Sequence, residues 1–309
     1  MFSVWELVLQ QLINGLILGS FYALVALGYS MVYGIIKLFN FAHGDIYMTG
    51  AFVCLSVFGA LSGAIAGWLG LIISILAAMC LSGVLGFLAQ RLAYRPMLGA
   101  PKLSLLITSI GVSLVIYNAV MLITNSQPYF FHSGLDNSVG IRFGNVSITY
   151  IQIILLVVSA VLMIGLTLFI GRTMIGKAMR AIALDQDTCR LMGINVNKVI
   201  GVTFFIGSAL AAVAGGMYCI YYGNVQYNMG YLFGIKAFTA AVIGGIGSIP
   251  GAMLGGLLLG LLEAMGTQVL TSLGASGSAW KDAFAFGVLI LILIFRPNGL
   301  MGKTEVERM

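Results

Sequence analysis

The chain has 309 residues, of which 60% are hydrophobic and only 8% charged, with a mean hydropathy of +1.06; a soluble domain carries about 25% charged residues. So few charges cannot coat a water-soluble surface of this size, which excludes a cytosolic enzyme, a nucleic-acid-binding module and a disordered chain. The formal net charge of +6 therefore reports topology and contact with anionic lipid, not a nucleic-acid partner.

A membrane helix needs about 20 mostly apolar residues. In chain order this predicts spans at residues 8–34, 41–61, 65–89, 103–123, 151–170 and 199–222. The later stretches 237–249, 252–270 and 284–295 are apolar but shorter or interrupted. Residues 237–249 read as a short or broken membrane helix, tolerated only where protein or a water-filled cavity covers the backbone. Cations gather at Arg91, Arg95 and Lys102, at Arg172, Lys177, Arg180, Arg190 and Lys198, and at Arg296, Lys303 and Arg308. These clusters mark cytoplasmic segments. The polar stretch 124–149, with Arg142 against Asp136, reads as an external loop.

Three spans before Arg91 put Met1 outside. Glu6 is the only charge before Lys37, so the first apolar stretch lacks the basic flank of a cleavable signal and is expected to remain. The predicted fold is all-α: one polytopic helical membrane domain over residues 1–309, with about eight or nine spanning or re-entrant helices. Glycines repeating every fourth residue, at Gly15 and Gly19, at Gly59, Gly63 and Gly67, and at Gly247, Gly251 and Gly255, predict faces where helix backbones approach closely. Cys54, Cys80, Cys189 and Cys219 are scattered and suggest neither a disulfide framework nor a zinc site.

Chemical motifs are sparse. Gly171-Arg-Thr-Met-Ile-Gly176-Lys177-Ala178 approaches a phosphate-binding loop, but Ala178 replaces the Mg²⁺-binding hydroxyl and no strand precedes it. Gly245-Ile-Gly247 lacks the third glycine and the strand of a dinucleotide fingerprint. Asn145-Val-Ser147 is a glycosylation acceptor in form only. With only His43 and His132 in the chain and no nucleophile or zinc motif, the chain is not expected to be an enzyme or to carry a cofactor.

Three polar features stand out from the apolar background. Asn40-Phe-Ala-His43-Gly44-Asp45 falls between two spans. It is either a turn, with Asn40 as helix cap and Asp45 in the first turn, or a polar path shaped by Asn40, His43 and Asp45. Lys236 and Glu263 are isolated ionisable groups on neighbouring apolar segments; they either snorkel to an interface or pair across helices. Residues 176–198 mix Met179, Ile182, Leu191 and Met192 with charges of both signs. They read as an amphipathic helix stopped by Gly193, suited to docking in a groove of a soluble partner.

The chain resembles the LivH-type permease subunit of the branched-chain amino acid ATP-binding-cassette importers of bacteria. The resemblance lies in Asn14-Gly-Leu-Ile-Leu-Gly-Ser-Phe-Tyr-Ala-Leu24, Gly28-Tyr-Ser-Met-Val-Tyr-Gly-Ile35, Asn40-Phe-Ala-His-Gly44 and Arg91-Leu-Ala-Tyr-Arg-Pro96. It continues in Met192-Gly-Ile-Asn195, in the run from Lys236 through Gly244-Gly-Ile-Gly247 to Met253, and in Pro297-Asn-Gly-Leu300.

The resemblance implies a bacterial inner-membrane importer of two permeases, this chain and a distinct sister, with two cytoplasmic ATPase subunits that hold ATP and Mg²⁺. A periplasmic binding protein would meet the external loop 124–149. Within the cytoplasmic segment 172–198, residues 176–195 would be the coupling helix, with Gly176, Lys177, Arg180, Ala181, Asp185, Arg190 and Gly193 facing an ATPase. The signature common in such permeases is only loosely present near Ala183 and Gly193. Candidate path residues are Asn14, Asn40, His43, Asp45, Lys236 and Glu263. Competing readings are an ion-coupled secondary transporter and a passive channel for small neutral solutes; within the family, urea or short amides are alternative cargoes.

Overall fold

The computed structural model describes residues 4–62, 67–131, 140–274, 277–296 and 298–302. Gly63, His132, Asp136, Pro297, Lys303 and Arg308, all singled out in the sequence, lie outside the described residues. Eleven α-helices are described: α1 (Val4–Ile36), α2 (His43–Leu61), α3 (Trp68–Ala89), α4 (Lys102–Ile123), α5 (Tyr150–Arg172), α6 (Met174–Leu184), α7 (Gln186–Leu191), α8 (Val196–Tyr222), α9 (Met229–Gly244), α10 (Ile249–Ser272) and α11 (Lys281–Phe295). Among the described residues seven of these, α1 to α5 with α8 and α10, are long and apolar enough to cross a membrane. Helices α9 and α11, of 16 and 15 residues, are shorter. The all-α polytopic expectation holds.

Small antiparallel ladders decorate one end of the bundle. β1 (Tyr129–Phe130) pairs with β4 (Asn224–Val225), and β2 (Gly140–Phe143) forms a hairpin with β3 (Val146–Thr149). Gln10 near the start of α1 donates to the Ser147 carbonyl at 3.2 Å and accepts from the Ser147 N–H at 3.0 Å. At the opposite end of α1, Gln186 donates to the Ile35 carbonyl at 3.1 Å. The hairpin and the α6–α7 segment therefore lie on opposite faces, with the start of α1 on the hairpin side, as the cation pattern predicts.

Small residues decide which helices are central. The apolar stretch of α1 is 94% buried and that of α8 83%, against 17% for α4. Lipid is as apolar as leucine, so backbone proximity rather than hydrophobicity drives association here. Gly15 and Gly19 of α1 face Gly256 and Gly260 of α10: a Cβ on Gly19 would come within 2.9 Å of the Leu257 Cα, and one on Gly256 would enter the Ala23 backbone. On α8, Gly215 packs on the Tyr47 carbonyl and Ala212 on Gly50 of α2.

Other expectations are corrected. Gly59 has open space beside it, as does Gly67, whose φ of +77° precedes α3; neither packs a helix pair. Gly251 and Gly255 do pack, on Gly244 and Ala240, but Gly247 lies outside any helix at φ +87°. Residues 237–249 do not form a helix of their own. Helix α9 begins earlier, at Met229, and stops where Gly245 takes φ +102°. The Gly245–Ser248 break is closed by Ser30, which accepts from the Gly247 N–H at 3.0 Å, and by Leu300 and Met301, whose N–H groups reach the Ile243 and Gly244 carbonyls at 2.9 and 3.0 Å.

Helices α2, α9 and α11 start inside the bundle rather than at its edge. The His43 ring lies against Gly28, about 12 Å along α1 from its end at Ile36. Gly230 in the first turn of α9 packs on Gly44 and Asp45 at the start of α2. Lys281 at the start of α11 reaches Glu263 at 3.1 Å, about 13 Å down α10 from its end at Ser272.

Candidate functional site

Two polar clusters occupy these interior helix starts. In the first, Lys236 of α9 and Glu263 of α10 pair at 2.9 Å with side chains only 7% and 0% exposed. Glu263 also accepts from the Tyr22 hydroxyl at 2.9 Å and from Lys281 at 3.1 Å, while Lys236 makes a second ion pair with Asp282 at 2.6 Å. The sequence left snorkelling and pairing open; the structure decides for pairing. A charge stranded in an apolar interior is costly, and two cations against two carboxylates leave the group neutral. The cluster closes one side of a cavity of about 260 Å³ whose other walls include Tyr22, Tyr218, Tyr222 and Phe233.

The second cluster surrounds the start of α2. Asn40 is not the N-cap of α2, a position that Ala42 holds; its side-chain Oδ1 instead accepts from the Ala42 N–H at 3.1 Å and the Tyr94 hydroxyl at 2.6 Å. Asn40 thus ties the α1–α2 connection to the inner end of α3. His43 is buried, with its ring 4.7 Å from that of Tyr29, and a side chain at position 28 would overlap it. Asp45 accepts from the Ser113 hydroxyl of α4. Tyr29, Phe39, Asp45, Ser113, Tyr231 and Phe238 are among the lining of a second cavity, of about 460 Å³.

The segment expected as one cytoplasmic amphipathic helix is two helices, α6 and α7, meeting at an elbow. The break follows from capping. Thr173 accepts from the Gly176 N–H at 3.0 Å to start α6. Asp185 then leaves helical conformation at φ −156° and accepts from the Asp187 and Thr188 N–H groups at 2.9 and 3.2 Å to start α7. An Asp free to satisfy two amides favours a new helix over continuing the old one. Gly193, at φ +82°, ends the segment as expected, and Asn195 caps α8 through the Lys198 N–H at 3.1 Å. The Thr188 hydroxyl, followed by the Thr188 and Asp187 amides, holds the Asp185 carboxyl below the usual carboxylate range.

Each expected docking residue now has a place. Gly176 is buried against the Ile170 backbone, where no Cβ fits. Arg180 donates to the Ile170 carbonyl at the end of α5, so it braces α6 onto the bundle. Ala181 is half-buried. Lys177, Asp185, Arg190 and Gly193 are exposed, with Arg190 paired to Asp187 at 3.3 Å. Met179, Ile182 and Cys189 face the bundle, whereas Leu184, Leu191 and Met192 are 90%, 88% and 79% exposed. The elbow thus roots one apolar face on the bundle and leaves another uncovered.

Of the expected path residues, Lys236 and Glu263 share one cluster and Asn40, His43 and Asp45 share the other region. Asn14 joins neither; it is half-buried on α1 beside Gln10, at 3.5 Å. The sequence reading missed Tyr22, Tyr94, Ser113, Lys281 and Asp282. The adjacent Lys281 and Asp282 at the head of an apolar run were the readable sign, because opposite charges entering a bundle need partners there.

The family described as branched-chain amino acid transport system / permease component matches residues 11–293. The chain is 47% identical to the high-affinity branched-chain amino acid transport system permease protein BraD of Pseudomonas aeruginosa, over 97% of each chain. It is 42% identical to the permease protein LivH of Escherichia coli K12, again over 97% of each. To the permease protein LivM of the same organism it is 27% identical, over 50% of this chain and 36% of that one.

Proposed function

The chain belongs to the family of branched-chain amino acid transport system permease components, and from that premise we propose that it forms the membrane path of an ATP-driven importer for hydrophobic amino acids in a bacterial inner membrane. Near end-to-end similarity to BraD carries this reading, and the multi-pass helical bundle agrees with it. The chain makes and breaks no covalent bonds in this scheme. ATP and Mg²⁺ belong to two cytoplasmic ATPase subunits, each of which grips an elbow such as α6–α7. The uncovered Leu184, Leu191 and Met192 support that docking. A distinct sister permease completes the path, a pairing that the partial likeness to LivM supports. A periplasmic binding protein delivers cargo to the face carrying the β2–β3 hairpin.

Mechanism follows from how the elbow is rooted. It is bonded to α5 through Arg180 and to α1 through Gln186, so movement imposed on it by closing ATPases is passed to two spanning helices. Alternation between outward- and inward-open states then requires that nucleotide favour one of them. Asp45 at the interior start of α2 and the paired Lys236 and Glu263 support a path of this kind.

Reconstitution in liposomes tests the proposal. Labelled leucine is expected to accumulate only when sister permease, ATPases, ATP and binding protein are all supplied. Uphill uptake by this chain alone under an ion gradient, or ATP-independent equilibration, overturns it.

A further inference from the structure

The four-charge cluster that joins the middles of α9 and α10 to the start of α11 is divided into an inner and an outer pair. Lys236 and Glu263 are buried, at 7% and 0% side-chain exposure, whereas Lys281 and Asp282 are 35% and 48% exposed at the cavity of about 260 Å³. Every outer contact is made to an inner group that holds a second partner. Asp282 bonds Lys236 at 2.6 Å, yet Lys236 also has Glu263 at 2.9 Å; Lys281 bonds Glu263 at 3.1 Å, yet Glu263 also has Lys236 and the Tyr22 hydroxyl at 2.9 Å. Drawing the outer pair away therefore leaves neither buried charge without a counter-ion, the condition that makes breaking an ordinary buried pair costly.

We infer that this cavity is a binding site for a free zwitterionic α-amino acid, whose ammonium group takes Asp282 and whose carboxylate takes Lys281. This rests on the proposed transport function and deepens it by placing a cargo site within the chain itself. The neutral charge of the cluster favours a ligand that brings one charge of each sign; a simple anion meets Asp282 and a simple cation meets Lys281, each with repulsion. The remaining walls suit an apolar side chain. Tyr22, Tyr218, Tyr222 and Phe233 form a connected aromatic surface, with Phe233 4.8 Å from Tyr22 and 5.8 Å from Tyr218 between ring centroids. An ammonium group near these rings gains further from their electron-rich faces. Gln226 and Asn228 also line the cavity, offering polar contacts to a departing hydration shell.

The test uses the assembled transporter in lipid nanodiscs without binding protein, in nucleotide-free and ATP-bound states. Labelled L-leucine is titrated, then displaced by 3-methylbutan-1-amine and by 4-methylpentanoate, which each lack one charged end. In the wild type both analogues are expected to bind about 10–100-fold more weakly than leucine, the loss of one charged hydrogen-bonding partner. In Asp282→Asn, leucine should weaken by the same factor and 4-methylpentanoate should no longer lag behind it. In Lys281→Gln the amine should become leucine's equal, and Asp282→Glu and Lys281→Arg should recover part of the affinity.

Variants that bind leucine as the wild type does, or that lose leucine and both analogues in parallel, overturn the site. So does a wild type that binds no leucine in either state. Should a variant fail to assemble, acylation of Lys281 in the wild type, read by mass spectrometry, decides instead: protection by leucine at concentrations about 10–100-fold below those needed with 4-methylpentanoate is expected, and no protection by leucine overturns the site. ATP-driven leucine uptake by a complex whose site variants keep full affinity removes the site and leaves the transport function standing; a wild type without uptake removes the function.

Discussion

At the residue scale, the buried pair of Lys236 and Glu263 sets the terms for its surroundings. Lys236→Met removes one of the two cations against the fully buried Glu263, which keeps Lys281 at 3.1 Å, and is expected to destabilise the solubilised protein by about 1.5–3 kcal/mol, the loss of one charged hydrogen bond. Replacing both partners with Met should cost far less, since apolar substitution of a whole buried pair is often near neutral; denaturant or thermal unfolding of both variants measures the difference. Asp185 gives the opposite kind of prediction, at a fully exposed cap. Its carboxyl is held below the usual range by Thr188 and two amides, so the cap is present above the ordinary Asp pKa of about 3.9 and is lost as pH falls through the lower folded value. Protection of the Asp187 and Thr188 amides, measured as exchange relative to the intrinsic rate at each pH, should therefore persist from neutral pH down past the ordinary carboxylate range and be lost only in stronger acid; the Asp185→Ala variant should show little protection throughout. Lys236 and Glu263 were legible as misfits in apolar stretches. Their pairing was not, because no sequence spacing states that two helices cross at those positions.

At the element scale, the long helices were readable because apolar length alone defines them. Their ends were not. Helix α9 stops at a glycine with positive φ in a stretch whose composition scarcely changes, and α7 starts at an Asp whose capping role depends on where its neighbours point. Apolar runs also do not reveal that α2, α9 and α11 begin at depth, since a turn reads the same in sequence at the edge of the bundle as inside it. Glycine spacing picked out the packed Gly15, Gly19, Gly251 and Gly255 but misled at Gly59 and Gly67, which meet nothing among the described residues, and it passed over Gly256 and Gly260, which carry the α1 contact. Gly256→Val is expected to abolish the α1–α10 seam and the yield of folded protein, whereas Gly59→Val should change stability by no more than about 0.5 kcal/mol; detergent-extracted yield and melting temperature separate the two.

For the whole molecule, work done at one face must reach the other through packed helices. If the uncovered side of the elbow is the ATPase dock, Leu184→Asp with Leu191→Asp should leave insertion and folding intact, because both side chains already face solvent, while transport-coupled ATP hydrolysis falls at least about tenfold, on the scale of losing an apolar interface anchor. Unchanged coupling would move the dock elsewhere. Arg180→Glu should act differently, loosening α6 from α5 because its bond is to the Ile170 carbonyl.

Helix α1 is held at three levels: by the elbow beneath Ile35, by the hairpin beside Gln10, and near its midpoint by the glycine seam with α10. A rigid rod about 50 Å long, pinned at its middle and grasped at both tips, behaves as a see-saw. Tugging the lower tip sideways swings the upper tip the opposite way, so widening on one side of the barrier is geometrically tied to narrowing on the other.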